Sequence, residues 1–128
     1  MSRSEQTGAW GEHEAEKALR GKGYRILGRR VRVAGRDEID LVARDGKVLV
    51  FVEVKTRASE RYGRPIAAVD RHKRRVTSRA AMRYIRKLKD PDIPFRFDVV
   101  EVVGTPEEGV ETIRHIEEAY PLDQRYMV

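Results

Sequence analysis

Two acidic residues and a lysine are spaced so that a folded chain can bring them together. Glu53 and Lys55 follow the apolar run from Val48 to Val52, and as alternate residues they share one face of a strand. Ionised groups at the end of such a strand are costly unless they are paired or bound to an ion. Two carboxylates can hold a divalent cation that activates water, and a lysine can stabilise developing negative charge. With Asp40 as the second carboxylate, this set indicates hydrolysis of a phosphodiester bond.

A tight hairpin is predicted to carry Asp40 towards Glu53. The dipeptide Asp45-Gly46 favours a type I′ turn, because that turn needs positive φ at both central positions. We expect the flanking strands at residues 37–44 and 47–55. The second of these is apolar on both faces up to Glu53, which is typical of a central strand covered on both sides.

The register of this hairpin determines which side chains meet. Pairing Arg44 with Lys47 across the turn would set Asp40 opposite Phe51. Asp40 and Glu53 would then be diagonal neighbours on one face, close enough to share an ion. An ordinary ion pair of Glu53 at the strand end is the alternative to a metal site.

The whole chain predicts one mixed α/β layer structure of the order αβββαβ. We expect a single domain over residues 1–128, with a core at about 5–117 and a C-terminal tail at 118–128. The other predicted elements are a helix at 5–20 capped by Ser4, strands at 24–33, 95–103 and 110–117, a loop at 56–68 and a helix at 70–89.

Composition limits the classes of protein that this chain can represent. It has 128 residues, a net charge of +6 and no cysteine, which excludes disulfides, thiolate ligands and a cysteine nucleophile. No apolar run reaches transmembrane length, so we expect a cytoplasmic protein with no membrane partner.

Positive charge is concentrated in the second predicted helix. Residues 69–89 hold nine Lys or Arg against one Asp, which favours a nucleic-acid partner contacted through its backbone. One ridge of this helix should face solvent, and the opposite face should pack on the sheet. The ridge consists of Arg71, Arg75, Arg79, Arg83 and Lys87, and the packed face of Val69, Val76, Ala80, Tyr84 and Leu88. The loop at 61–65 could also contact a backbone or be an ordinary loop.

Four blocks of the sequence resemble the bacterial YraN-like family of uncharacterised proteins, from about Gly8 to Val102. The blocks are GEHEAEKAL, EIDLVARDG, VFVEVKTR and RFDVVEV. That family is similar in fold to Holliday-junction resolvases and to the PD-(D/E)XK nucleases. The resemblance implies a restriction-endonuclease-like α/β fold with a central mixed sheet flanked by helices, and an endonuclease acting on structured or branched DNA.

The resemblance also implies roles for individual residues. Asp40, Glu53 and the backbone carbonyl of Val54 would be ligands of Mg²⁺ or Mn²⁺. Lys55 would position water or stabilise charge, and Glu12 would be the acidic residue of the first helix.

Three further positions follow from the same resemblance. Lys73 lies near the start of the second helix, where nucleases of this fold often place a basic or polar active-site residue.

The sequence departs from the family at Asp37, where Gly is usual, and at Arg30, where Asn is common. Resolvases of this kind cut two symmetric strands, which is compatible with a homodimer.

Two other functions remain open at this level. A non-catalytic nucleic-acid-binding module would use the same basic helix and an inactive acidic cluster. A structural or protein-interaction domain would bind no nucleic acid at all, because fold and resemblance do not by themselves establish function.

Overall fold

Two helices and five strands follow one another in the order that the sequence predicts. The structure, a computed structural model, describes residues 2–33, 35 and 37–126. The elements are α1 (Arg3–Gly21), β1 (Arg25–Val33), β2 (Asp37–Asp45), β3 (Val48–Arg57), α2 (Arg71–Arg86), β4 (Phe95–Thr105) and β5 (Gly109–Tyr120), with 3₁₀ turns at Pro65–Ala68 and Gln124–Tyr126. Neither of these helices is long and apolar enough to cross a membrane.

The five strands form one mixed sheet in the order β1-β2-β3-β4-β5. The β3–β4 pair is parallel and the other pairs are antiparallel. The central strand β3 is buried along most of its length, as its two apolar faces predict. This arrangement confirms the predicted fold class, an α/β fold with a central mixed sheet flanked by helices.

Each face of the sheet has its own hydrophobic core. On one face, Ala80 and Ile85 of α2 pack with Phe51 of β3. On the other face, Ala15 and Leu19 of α1 pack with the alternate valines of β3. Because side chains alternate along a strand, β3 contributes to both cores and holds both helices in position.

The hairpin between β2 and β3 is shifted from its predicted position. Asp45 pairs with Val48, so the loop consists of Gly46 and Lys47. Gly46 has φ of 59°, and a positive φ at the first loop position is what a type II′ turn requires. The predicted pairing of Arg44 with Lys47 is therefore wrong. The ladder is displaced by two residues, so no side chain changes face.

Helix α1 begins earlier than predicted. The Ser2 hydroxyl accepts a hydrogen bond from the backbone N–H of Glu5 at 3.1 Å and caps the helix, so the prediction of Ser4 as cap is wrong. Helix α2 was predicted at 70–89 and runs from Arg71 to Arg86. Asp70 caps it, because the Asp70 carboxylate accepts from the N–H of Lys73 at 2.9 Å.

Strands β3 and β5 extend into segments that were predicted to be a loop and a tail. Thr56 and Arg57 pair with β4, so they extend β3 and do not begin the predicted loop at 56–68. Strand β5 continues to Tyr120, whose ring stacks on Phe97 with 5.2 Å between centroids. Residues 118–120 therefore belong to the sheet and not to the predicted tail at 118–128, whose last two residues, 127 and 128, lie outside the described part of the chain.

Replacing Gly11 with alanine should destabilise the protein, although alanine is the better helix former. A methyl group at Gly11 would overlap the side chain of Thr56, because α1 crosses β3 at this point. We expect Gly11→Ala to lower the free energy of unfolding by about 1–3 kcal/mol in urea denaturation. Gly8→Ala is the matched control in the same helix, since nothing lies within 4 Å of the added methyl, and it should stabilise by about 0.5–1 kcal/mol. Equal effects of the two variants would contradict this packing.

Candidate active site

Strands β2 and β3 separate at the point where the predicted site begins. Their ladder runs as far as the pair of Leu41 with Val52. Beyond that pair, Oδ2 of Asp40 accepts a hydrogen bond from the backbone N–H of Val54 at 2.8 Å. A side-chain carboxylate thus bonds to a strand N–H in place of a backbone carbonyl, and β2 can turn away from β3.

The observed strand register brings Asp40 closer to Glu53 than the predicted register does. Val42, and not Asp40, is opposite Phe51, so the predicted diagonal arrangement is wrong. Extending the observed ladder by one pair sets Asp40 directly beside Glu53. The reason is the two-residue shift of the hairpin, which moves the whole of β2 along β3.

Burial makes Asp40 difficult to ionise. Loss of solvation on burial, together with the negative charge of Glu53, raises the pKa of Asp40 to about 7. The hydrogen bond from Val54 and the positive charge of Lys73 act in the opposite direction, and Glu12 raises the pKa further. Asp40 is therefore in a negative environment that a cation would relieve.

Glu53 contacts two lysines through a single oxygen. Its Oε1 lies 3.2 Å from Nζ of Lys55 and 3.5 Å from Nζ of Lys73, and its side chain is 4% exposed. Lys55 is its neighbour on the same face of β3, whereas Lys73 comes from the first turn of α2. The structure thus brings together the acidic pair, the strand lysine and the helix residue that the sequence analysis singled out. The ion pair that was the alternative to a metal site is present too.

Glu12 lies near this cluster but has its own partner. Its charge contributes to the raised pKa of Asp40, so it belongs to the same electrostatic environment. Its Oε1 accepts a hydrogen bond from Nε of Arg30 at 2.8 Å, and Arg30 adopts φ of 45°. The residue that replaces the usual Asn of the family is thus the cation that pairs with Glu12.

The other departure from the family also forms ion pairs. Asp37 is buried and accepts two hydrogen bonds from Arg79, at 2.8 and 2.9 Å, with Arg83 at 3.6 Å. Arg75 lies 4.0 Å from Asp123. Three members of the predicted solvent-facing ridge therefore contact acidic residues of the protein, which corrects the expectation that the whole ridge points outward.

The rotation of α2 explains this correction. Ala80 of the predicted packed face lies in the core as expected, together with Thr77, Ala81 and Ile85, whereas Val76 and Tyr84 of that face are only partly buried. Of the predicted ridge, Arg71 and Lys87, near the two ends of the helix, remain exposed.

A cavity of about 630 Å³ lies between the first half of α1 and the end of β3. Lys55 and Glu12 line it, and they are joined by two arginines and several hydroxyl groups that the sequence analysis did not assign to the site. The lining residues are Arg3, Ser4, Thr7, Gly8, Glu12, Val54, Lys55, Thr56 and Arg57. The sequence does contain a signal for these residues. Ser4, Gly8 and Glu12 are spaced four residues apart, so they lie on the same face of α1, and that face lines the cavity.

Asp40 and Glu53 suit a magnesium site in which the protein supplies two ligands and the substrate supplies others. Within the described part of the chain, no group of three or more His, Asp or Glu is arranged to hold a metal ion. Mg²⁺ is commonly bound through one or two carboxylates together with waters and substrate phosphates. Asp40 and Glu53 fit that donor set, since the repulsion between them is what a cation would offset.

Replacing Asp40 with asparagine should stabilise the metal-free protein at alkaline pH. The pKa of Asp40 is about 7 in the folded state, against an ordinary value of 3.8 that applies in the unfolded state. At a pH between these two values, the folded state therefore binds more protons than the unfolded state. Wild-type stability should therefore fall as the pH rises from about 4 to about 7. Asparagine can still accept from Val54 but carries no charge, and we expect Asp40→Asn to be roughly 1–3 kcal/mol more stable than wild type near pH 8.

Denaturation across this pH range, in the presence of a chelator, measures the effect. The exposed Asp92 provides the control, since Asp92→Asn should leave the pH dependence of wild type unchanged. Identical pH profiles for wild type and Asp40→Asn would contradict the burial of a charged Asp40.

Comparison with known proteins agrees with the resemblance seen in the sequence. The model of the family described as uncharacterised protein family UPF0102 matches residues 11–102. A UPF0102 protein of Symbiobacterium thermophilum is 47% identical over 117 residues, which cover 91% of this chain and 98% of that protein. A UPF0102 protein of Chlorobaculum tepidum is 46% identical over 104 residues, covering 81% of this chain and 80% of that protein. The chain belongs to the uncharacterised protein family UPF0102, as its YraN-like motifs predict.

Proposed function

We propose that this protein is an endonuclease that uses Mg²⁺ or Mn²⁺ to hydrolyse phosphodiester bonds in structured or branched DNA. One observation carries the proposal. The buried Glu53 contacts both Lys55 and Lys73 next to Asp40, where β2 and β3 separate. A buried glutamate in contact with two lysines, beside an aspartate whose pKa is raised, is an arrangement suited to catalysis.

Asp40 and Glu53 would hold the cation, with the backbone carbonyl of Val54 as the further proposed ligand. When bound there, the cation would lower the pKa of water and screen the charge of the phosphate. Glu53 is buried and Asp40 is partly buried, which limits competing solvent and strengthens their interaction with an ion.

Lys55 is the residue best placed to act on the substrate. Its ammonium group contacts Glu53 and the residue also lines the cavity, so one residue joins the acidic pair to the open side of the site. From this position it can orient a water molecule or donate to a phosphate oxygen as negative charge develops. Lys73 approaches Glu53 from α2 and can neutralise charge from the other side.

The cavity beside α1 is the proposed path of the nucleic-acid strand. Arg3 and Arg57 supply positive charge on either side of Lys55, and Ser4 and Thr7 supply hydroxyl donors. Such groups contact phosphates and position a backbone without reading its sequence. The exposed Arg71 and Lys87, and the partly exposed Lys73, would extend these contacts along α2. The proposed preference for branched DNA, and a homodimer able to cut two strands, follow from the resemblance to resolvases.

A non-catalytic nucleic-acid-binding module is the second candidate. It is favoured by the pairing of two of the acidic side chains with cations of the protein itself, Glu53 with two lysines and Glu12 with Arg30. These two side chains do not require a metal ion for stability, in contrast to Asp40, whose pKa is raised by burial and by the charge of Glu53.

Replacing Glu53 with glutamine should abolish cleavage. We expect at least about a 100-fold loss of the rate on an end-labelled four-way DNA junction with Mg²⁺ or Mn²⁺, because the charge that holds the cation and orients Lys55 is removed. Glu38→Gln is the matched control, since Glu38 is a carboxylate on β2 two residues from Asp40 that pairs instead with Arg32.

The outcomes separate the two candidate functions. Cleavage by Glu53→Gln at the wild-type rate would rule out the proposed mechanism. Salt-sensitive binding of the junction by wild-type protein, with no cleavage under any divalent ion, would favour the non-catalytic module.

Calorimetric titration of Mn²⁺ tests the metal site without any substrate. Wild type should bind the ion, and the Asp40→Asn/Glu53→Gln double variant should not, because both carboxylate ligands are lost. The double variant of Asp90 and Asp92 to asparagine serves as control for the removal of two surface charges. Equal binding by wild type and the Asp40/Glu53 variant would place the ion elsewhere.

A further inference from the structure

An exposed tyrosine lies in the turn that follows β3. The side chain of Tyr62 is 93% exposed, and the guanidinium of Arg61 lies 5.7 Å from the centre of its ring. A single exposed apolar residue requires no explanation. The surroundings of this one, however, distinguish it from an ordinary surface side chain.

The turn is anchored on both sides of Tyr62. On one side, Glu60 forms an ion pair with Arg114 of β5 at 2.6 Å. On the other side, Arg64 donates to the fully buried Glu101 of β4 at 2.6 Å. The N–H of Gly63 donates to the carbonyl of Glu60 at 3.0 Å and closes the turn. The aromatic ring therefore points into solvent from a turn whose backbone is held by two ion pairs and a hydrogen bond.

These supports bring the turn next to the candidate active site. Glu101, which holds Arg64, pairs with Lys55 in the parallel ladder between β3 and β4. The second oxygen of Glu101 accepts from the backbone N–H of Ile66 at 2.8 Å, so the chain after the turn is attached at the same point. The position of the turn is therefore coupled to that of the proposed catalytic lysine.

A second cavity lies against Tyr62 and adjoins the first. It has a volume of about 370 Å³. Its lining consists of Arg57, Ser59, Tyr62, Gly63, Arg64 and Ala67. Arg57 also lines the larger cavity that contains Lys55, so the two cavities share a wall. A strand whose phosphates follow the larger cavity would reach the ring of Tyr62 within a short distance.

The chemistry of this second cavity fits a nucleobase and its phosphate. An aromatic ring offers a face for stacking, and arginines on either side attract the backbone. Two cationic side chains line the cavity, and its lining includes no acidic residue. A paired base is already stacked on its neighbours and held by its partner, so an unpaired base is the one free to stack on Tyr62.

We propose that Tyr62 stacks on an unpaired base of the nucleic acid next to the proposed cleavage site. This inference rests on the proposed function and narrows its substrate class to DNA with an unpaired region, such as a flap or a hairpin loop. Selection then depends on structure and not on sequence, because every base has a face that can stack.

A hairpin oligonucleotide with 2-aminopurine tests this inference without cleavage. One hairpin carries the fluorescent base in its loop and a second carries it in the stem, and binding is measured in a chelator. Wild type should change the fluorescence of the loop base and bind the hairpin more tightly than a blunt duplex of equal length. Tyr62→Ala should lose the fluorescence change and roughly tenfold in affinity for the hairpin, with little effect on the duplex.

Two control variants make the result specific. Tyr62→Phe keeps the ring and should behave as wild type, which excludes a role for the hydroxyl. Tyr126→Ala removes a partly exposed tyrosine at the other end of the chain and should have no effect. Cleavage of the junction by the same variants is measured separately.

The outcomes distinguish this inference from the proposed function. If Tyr62→Ala binds and changes the loop fluorescence as wild type does, the stacking role is wrong, whatever the cleavage assay shows. If wild type stacks the loop base through Tyr62 but cleaves nothing with any divalent ion, the stacking role stands and the nuclease does not. Absence of wild-type binding to any of these oligonucleotides overturns the inference.

Discussion

The structure depends on how the protein compensates a buried carboxylate at the end of its central strand. β3 is covered on both faces, so Glu53 enters an environment in which an unpaired charge would be strongly unfavourable. Lys55 from the same strand and Lys73 from α2 both approach one of its oxygens. The same interaction therefore stabilises the strand end, positions α2 against the sheet and assembles the groups proposed to act on a phosphate.

Similar pairings elsewhere account for much of the positive charge of the chain. Asp37 holds Arg79 and Arg83, Glu12 pairs with Arg30, and Glu101 anchors Arg64. Each of these pairs joins two elements that are distant in sequence. An excess of basic residues is thus a weaker indication of a binding surface than it first suggests, because part of the excess is used within the fold. Arg3 and Arg57, which line the cavities beside Lys55 and Tyr62, are better placed to meet a polyanion than the middle of α2.

The two helices contribute to the site in different ways. α2 contributes a lysine that contacts Glu53 directly, whereas α1 contributes Glu12, whose charge affects Asp40 but whose oxygen is bound to Arg30. Gly11 lets α1 approach β3 closely, and this contact determines how near Glu12 lies to the strand end.

Local patterns in the sequence were sufficient to predict the main elements and the acidic pair with its lysine. Apolar runs, alternation and turn residues act over a few positions, so they indicate that β3 is central and that Glu53 and Lys55 share a face. Only the tertiary structure decided the two-residue shift of the hairpin, the rotation of α2 that directs Arg79 to Asp37, and the contact of Lys73 with Glu53. These features depend on side chains brought together from distant elements, and no local pattern records which buried acid each arginine or lysine will neutralise.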